Sequence, residues 1–355
     1  MGLSDARKAR DAAKLQKSEG RDPVQMRRLE KIRAARPEGE TFKAVALEWY
    51  AKQAPQWSSS HAERSLRQLE RDLFPWIGDR PIAEIHAMEL LAALQKVEER
   101  GALETADRVL MLARQVWNYW LPSTSVQQRN ITEGLKARLT PYRGKTFAAI
   151  VDPLRFGELL RAIAVYKGGP IVRTALQIAP LLYQRPGNLR EMEWAELDLD
   201  AALWTIPSMK MKRRKGEKEQ GDAHVVPLST QVVALLRELR PITGHGCYVF
   251  PGQRSHDRPM SDNSVRSALY ALGFGKEQMW HGFRASARTM LVDQLNLDPL
   301  AIEANLAHAV KDANGRSYNR TQYLTQRFEQ IQQWADYLDK LRKGAEVIQL
   351  SQRTA

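Results

Sequence analysis

Two short stretches of this chain read as a β-hairpin, ALWTIP (Ala202–Pro207) and HVVPL (His224–Leu228), with the 16 residues SMKMKRRKGEKEQGDA between them. Both are rich in β-branched and aromatic residues, the usual composition of strands. YVFP (Tyr248–Pro251) adds one short extended piece. Nearly all the remaining apolar text recurs at the three-to-four-residue spacing of a helix. The expected fold class is mainly α with a small antiparallel β-sheet. The loop between the two strands carries Lys210, Lys212, Arg213, Arg214, Lys215 and Lys218, so it is either a solvated tip or one made for a polyanion.

The helical text falls into blocks. Residues 1–40 are charged, with Ala and Leu scattered among Lys and Arg, and Gly20 breaks the run. This segment is too short and polar for a core and reads as a linker helix. From Thr41, a good N-cap, four helix-like segments follow in close succession: FKAVALEWYAKQAP, SSSHAERSLRQLERDLFPWIG, PIAEIHAMELLAALQKVEERG and ETADRVLMLARQVWNYWLP. They predict a compact helical domain over residues 41–138, with Trp49, Trp76, Trp117 and Trp120 in its core. Arg64, Arg67 and Arg71 give it a basic exterior suited to phosphates. Residues 139–152, basic and marked by Pro141 and Gly144, read as a linker. The GKT at Gly144 is not a phosphate-binding loop, because the glycine such a loop needs five residues earlier is missing. A second, mixed α/β domain is expected over residues 153–343, and residues 344–355 read as a tail. In the second domain Ser261 is the expected cap of MSDNSVRSALYALG.

Composition narrows the functional classes. The chain has 355 residues and a formal net charge of +13, an excess that favours nucleic acid as a partner. No apolar run approaches the roughly 18 residues of a membrane span. The single cysteine, Cys247, permits no internal disulfide and no cysteine-based zinc cluster. These features suggest a cytoplasmic protein, associated with the nucleoid, with no membrane partner.

The chemistry concentrates in HGFRASARTMLVDQLNLDPLAIEANLAHAVKDANGRSYNR, His281 to Arg320. His281 and Arg284 are three apart and share a helix face. His308 ends the run PLAIEANLAH, and Tyr318 follows ten residues later. An Arg grips a phosphate through its planar fork, a His donates hydrogen bonds or moves protons, and a Tyr hydroxyl is a competent nucleophile. Upstream, Arg185 sits in RPGNLREMEW beside strongly apolar helices, where an arginine is normally paired or bound to an anion.

In chain order these candidates are Arg185, a hairpin lysine, His281, Arg284, His308 and Tyr318. The phrases RPGNLREMEW, LWTIPSMKMK, HVVPLS, HGFRASART, LAH and SYNR resemble the catalytic domain of the tyrosine recombinases, the phage integrase family, and among these the integrases of satellite phages and genomic islands. Residues 41–135 resemble, more weakly, the helical core-site-binding domain of the same group. LSDARKARDAAKLQKSEGRDPVQ resembles the end of its N-terminal arm-binding domain, most of which has no counterpart here. The resemblance implies a site-specific DNA recombinase that needs no metal or cofactor and works through a 3′-phosphotyrosine. It implies a clamp on the duplex core site, a homo-tetramer on DNA, and accessory directionality and DNA-bending factors. With so short an N-terminal segment, it implies core-site binding and cleavage with weakened or unregulated integration.

By the same resemblance, Arg185 and Arg284 would hold the scissile phosphate, Lys210 would protonate the leaving 5′ oxygen with Lys212 as the alternative, and His281 would assist proton transfer. His308 would orient or hydrogen-bond the phosphate, and Tyr318 would attack it. Lys212, Arg213 and Arg214 would also touch DNA. Two departures stand out: Asn188 occupies a position that is often acidic, and Ala309 one that is often basic. Tyr323 and Tyr337 are rival nucleophiles. The helix FEQIQQWADYLDKL either docks on its own domain or packs on a neighbouring protomer, and the family pattern favours the second. Two rivals to the recombinase reading remain: a type IB topoisomerase-like enzyme, and a catalytically degenerate DNA-binding regulator.

Overall fold

The structure is a computed structural model that describes residues 40–123, 129–142, 144, 146–212, 218–219, 221–308 and 323–344. The charged segment before Glu40, Arg213 and Arg214 of the hairpin loop, Tyr318 and the tail after Gly344 lie outside the described residues. The described residues form two compact units, which divide after Gly144.

The first unit is helical. Helix α1 (Phe42–Gln53) starts where the Thr41 side chain accepts Ala44 N–H at 3.3 Å. Helix α2 (Ser59–Gln68) winds on as a π-helix over Leu69–Gly78, and α3 (Ala87–Glu99) and α4 (Leu103–Trp120) complete the set. Phe42, Trp49, Leu69, Leu73, Leu94, Val116 and Trp117 fill the core, with the Phe42 and Trp117 rings 4.9 Å apart. Trp76 is not part of it, being 55% exposed. Leu69, Leu73 and Ile77 recur every four residues and take the buried stripe, and Trp76 falls one position off it. The fully buried Asp72 is gripped by Arg71, through Nε at 2.9 Å and Nη2 at 2.8 Å, and by Arg100 at 2.5 Å.

The second unit begins with α5 (Pro153–Ala164), capped by Asp152, whose carboxylate accepts Arg155 N–H at 2.7 Å. Helix α6 (Pro170–Leu182) ends at Tyr183, and α7 (Pro186–Arg190) follows directly. The sheet has three antiparallel strands in the order β1 (Leu197–Asp198), β2 (Leu203–Ile206) and β3 (His224–Pro227), with Trp204 opposite both Leu197 and Val226. The two-residue β1 is too short to leave a period-two signal in the sequence. Helices α8 (Thr230–Thr243), α9 (Ser264–Ala271), α10 (Gly282–Asp293), α11 (Pro299–Asn305) and α12 (Leu324–Lys343) complete the unit. Ser261 is not the cap of α9; its hydroxyl accepts Asn263 N–H at 3.3 Å and the helix starts one residue later, at Ser264.

Helix α12 docks on its own unit, against α5, α6 and β3, with Ile331, Trp334, Leu338 and Leu341 buried and Trp334 Nε1 donating to Pro180 O at 2.9 Å. The neighbouring-protomer expectation is therefore corrected for this helix. Its apolar stripe matches a groove within the same domain. The approach is close enough that a Cβ on Gly157 of α5 would lie 2.8 Å from Leu341 O.

Candidate active site

Two chain reversals and the start of one helix place the site. Helix α6 ends in a left-handed turn at Tyr183 (φ 40°), and two residues later Arg185 opens α7. Helix α10 begins at Gly282, preceded by His281, with Arg284 in its first turn. Gly282 is required here because the segment carrying Ala148 passes it so closely that a Cβ would meet Ala148 O at 2.1 Å. After α11 the chain turns through Ala307 (φ 50°) to present His308. Tyr183 and Ala307 are two of the five described non-glycine residues with positive φ, so two of the site's turns carry backbone strain.

Arg284 is the centre. It is 6% exposed, and its guanidinium donates through Nη1 to Tyr183 O at 3.1 Å and through Nη2 to Leu306 O at 2.8 Å, with His308 Nε2 3.1 Å from Nη2. Both carbonyls belong to the strained turns. Burial and then the nearby charge of Arg185 pull its pKa down to about 10, so it remains a cation at neutral pH. Arg185 itself is half-buried. His281, its ring 4.5 Å from that of Phe147, is held below its ordinary value by burial first, then by Arg284, Arg185, Lys212 and His308. The structure thus brings Arg185, His281, Arg284 and His308 together, with Lys212 within electrostatic reach. Among the described residues the hydrogen-bond partners of Arg284 are two carbonyls and an imidazole, and none is a carboxylate. Converging positive groups of this kind suit a multi-oxygen anion such as a phosphate.

The hairpin lysines separate. Lys210, 20% exposed on its side chain, donates to Glu191 O at 2.8 Å, to Glu193 Oε1 at 2.6 Å and to Glu196 Oε1. Burial alone would lower its pKa; the two carboxylates outweigh that and hold it above the ordinary lysine value. An enclosed ammonium with a raised pKa is a poor proton donor. Lys212 is exposed, and its charge is felt at His281.

Other candidates sort by burial and pairing. Tyr337 is buried in α12 and its hydroxyl pKa is pushed up to about 12, by burial and then by Asp152, which suits packing rather than attack. Asn188 is buried with its amide 3.3 Å from Met211 Sδ. In the first unit Arg64 and Arg67 are exposed on α2, whereas Arg71 is held on Asp72. Among the described residues no group of three or more His, Cys, Asp or Glu is placed to hold a metal ion. Among the described residues no helix is long and apolar enough to cross a membrane.

Sequence reasoning missed two groups. Glu303, which contacts His308 Nδ1, lies five residues before it, a spacing that a helix puts on different faces; the two meet because the chain leaves α11 and turns at Ala307. Arg327 lies 2% exposed in α12, with its Nε 2.7 Å from Asn305 Oδ1, and its mostly polar sequence neighbours, Thr325, Gln326, Glu329 and Gln330, read as a solvated stretch.

Comparison with known proteins sets this geometry in context. Residues 42–163 match the model of the phage integrase central domain, and residues 158–324 match the phage integrase family. The putative protein IntB of Escherichia coli (strain K12) is 33% identical over 345 residues, covering 95% of this chain and 86% of that protein. The integrase of Enterobacteria phage P4 is 33% identical over 361 residues, covering 99% of this chain and 81% of that protein. Among solved structures, a lambda integrase tetramer bound to a Holliday junction shares the fold, with a TM-score of 0.56 at 14% identity, over 76% of this chain and 78% of that one.

Proposed function

The chain belongs to the phage integrase family of tyrosine site-specific recombinases, and from that premise we propose how its residues break and rejoin DNA. The observation that carries the proposal is Arg284, a buried guanidinium aimed by two carbonyls and His308 into a cluster with Arg185 and His281. Arg185 and Arg284 grip the non-bridging oxygens of the scissile phosphate and stabilise the extra negative charge of the crowded transition state. Tyr318, ten residues after His308, attacks phosphorus through its hydroxyl oxygen. The bond from phosphorus to the 5′ oxygen breaks, leaving a 3′-phosphotyrosine and a free 5′ end. Lys212 gives its proton to that departing oxygen. His281, whose pKa burial and the surrounding cations hold below its ordinary value, accepts the proton that the Tyr318 hydroxyl loses. A 5′ hydroxyl from the partner strand then attacks the phosphotyrosine, so the energy of the broken bond is conserved.

The helical unit binds the core-site duplex, with Arg64 and Arg67 as its phosphate contacts. Strand exchange takes place in a homo-tetramer on DNA in the bacterial cytoplasm, with accessory directionality and DNA-bending factors setting its outcome. The tetramer of a fold relative on a Holliday junction supports that assembly.

The test is a suicide duplex, nicked near a candidate core site and incubated with the wild type and with Tyr318→Phe. A covalent protein–DNA adduct on a denaturing gel with the wild type alone supports the mechanism. An adduct that persists in the variant moves the nucleophile to another residue, and DNA binding without any adduct favours the degenerate regulator.

A further inference from the structure

Glu303 has no role in the reaction just described, yet its two carboxylate oxygens are both committed. Oε1 accepts Arg288 Nε at 2.6 Å, and Oε2 faces His308 Nδ1. Burial tends to raise its pKa, but the hydrogen bonds from Arg288 and His308 outweigh that and hold the carboxyl below its usual value. Ionised Glu303 is an acceptor only, so Nδ1 of His308 carries the proton. On the other side of the ring Arg284 Nη2 lies 3.1 Å from Nε2, and a guanidinium only donates. Nε2 is therefore the acceptor. Two neighbours on two different helices, α11 and α10, demand the same tautomer and the same ring orientation.

We propose that Glu303, braced by Arg288, is a positioning residue for strand cleavage: it fixes His308 in the Nδ1–H form, so that Nε2 accepts from Arg284 and aims its guanidinium at the phosphate. The inference deepens the mechanism above and rests on it. The chain Arg288–Glu303–His308–Arg284 runs from an exposed arginine to the buried one, the arrangement by which an outer carboxylate sets the tautomer of a working histidine. Without Glu303 the imidazole is free to protonate at Nε2. Two donors would then face each other across 3.1 Å, and Arg284 would lose one of the three groups that aim it.

The test uses the full chain with Glu303→Leu and Glu303→Gln. In single turnover on the suicide duplex, Glu303→Leu lowers the maximal rate of adduct formation by roughly 10- to 100-fold, the scale lost when the outer partner of a metal-bound histidine is removed. The half-saturating DNA concentration stays within about three-fold, since phosphate contacts that set affinity are untouched. Glu303→Gln recovers part of the rate, because its amide oxygen still accepts from Nδ1. In parallel, 15N–1H spectra of the imidazoles are recorded at about pH 8.5, some 2 units above the ordinary histidine value, with the signal of His308 identified by its loss in His308→Gln. The wild type shows the Nδ1–H pattern, and Glu303→Leu loses it. A wild-type rate in Glu303→Leu, or an unchanged tautomer, overturns the proposal. An Nδ1–H signal in a wild type that forms no adduct upholds the positioning contact and counts against the cleavage mechanism instead.

Discussion

The Nη2 of Arg284 lies 3.1 Å from Nε2 of His308 and 2.8 Å from Leu306 O, so one nitrogen of the guanidinium reads both the imidazole and the strained turn that presents it. The other, Nη1, reads the turn at Tyr183. The fork therefore measures the spacing of two chain reversals, and only a planar group with two separated donors can do so.

Arg284→Lys keeps the charge and loses the fork. The expected result is a fall in adduct formation of roughly 100- to 1,000-fold, the scale of removing one donor to a developing negative charge. Filter binding at fixed salt tracks DNA affinity alongside; loss of cleavage with affinity retained assigns the effect to the transition state.

The two hairpin lysines part in opposite directions. Lys212→Ala slows cleavage, and a substrate with sulfur in place of the bridging 5′ oxygen restores the rate, because a thiolate leaves without a proton donor. Lys210→Met instead lowers stability by about 2–4 kcal/mol, since Glu193 and the buried Glu196 lose their shared partner. Sulfur rescue of Lys210→Met and not of Lys212→Ala would return the general acid to Lys210.

His281 links the site to pH. The unfolded chain restores its ordinary value near 6.5, whereas burial and the surrounding cations depress it in the fold. Between the two values the unfolded state binds more protons, so stability falls as pH drops through 6.5 and levels off below the folded value. Melting temperature against pH should fall less steeply in that window for His281→Gln. Parallel curves for variant and wild type would mean that another group carries the dependence.

Arg327 and Asn305 tie α12 to the turn that bears His308. Asn305 receives Arg327 Nε at 2.7 Å and donates to Tyr183 Oη and Gln330 Oε1 at 3.0 Å each, while Arg327 also donates to Val225 O. Burial pulls the Arg327 pKa down to about 10, so the group stays charged and dependent on these partners. Asn305→Leu should cost about 3 kcal/mol in urea unfolding of the full chain, because it leaves buried polar atoms unpaired. A cost under about 1 kcal/mol would show that water replaces the lost partners.

Much of this was legible along the chain. His281 and Arg284, three residues apart, announced a shared helix turn. Trp76 was not legible, because one residue of drift around a helix moves a side chain from core to solvent. Nor was the difference between Lys210 and Lys212. They are two residues apart in a loop, where periodicity gives no direction, and their fates depend on carboxylates fourteen and seventeen positions upstream.

The sequence by itself determined the longer helices, the hairpin and the inventory of reactive groups, because periodicity and residue chemistry are local properties. Tertiary structure alone decided which groups meet. Arg284 finds its partners 101 and 22 residues away, at turns whose left-handed residues are neither glycine nor asparagine. No local preference encodes such turns; they persist because the packing of α6, α10 and α11 holds them, and that packing is a property of the whole domain.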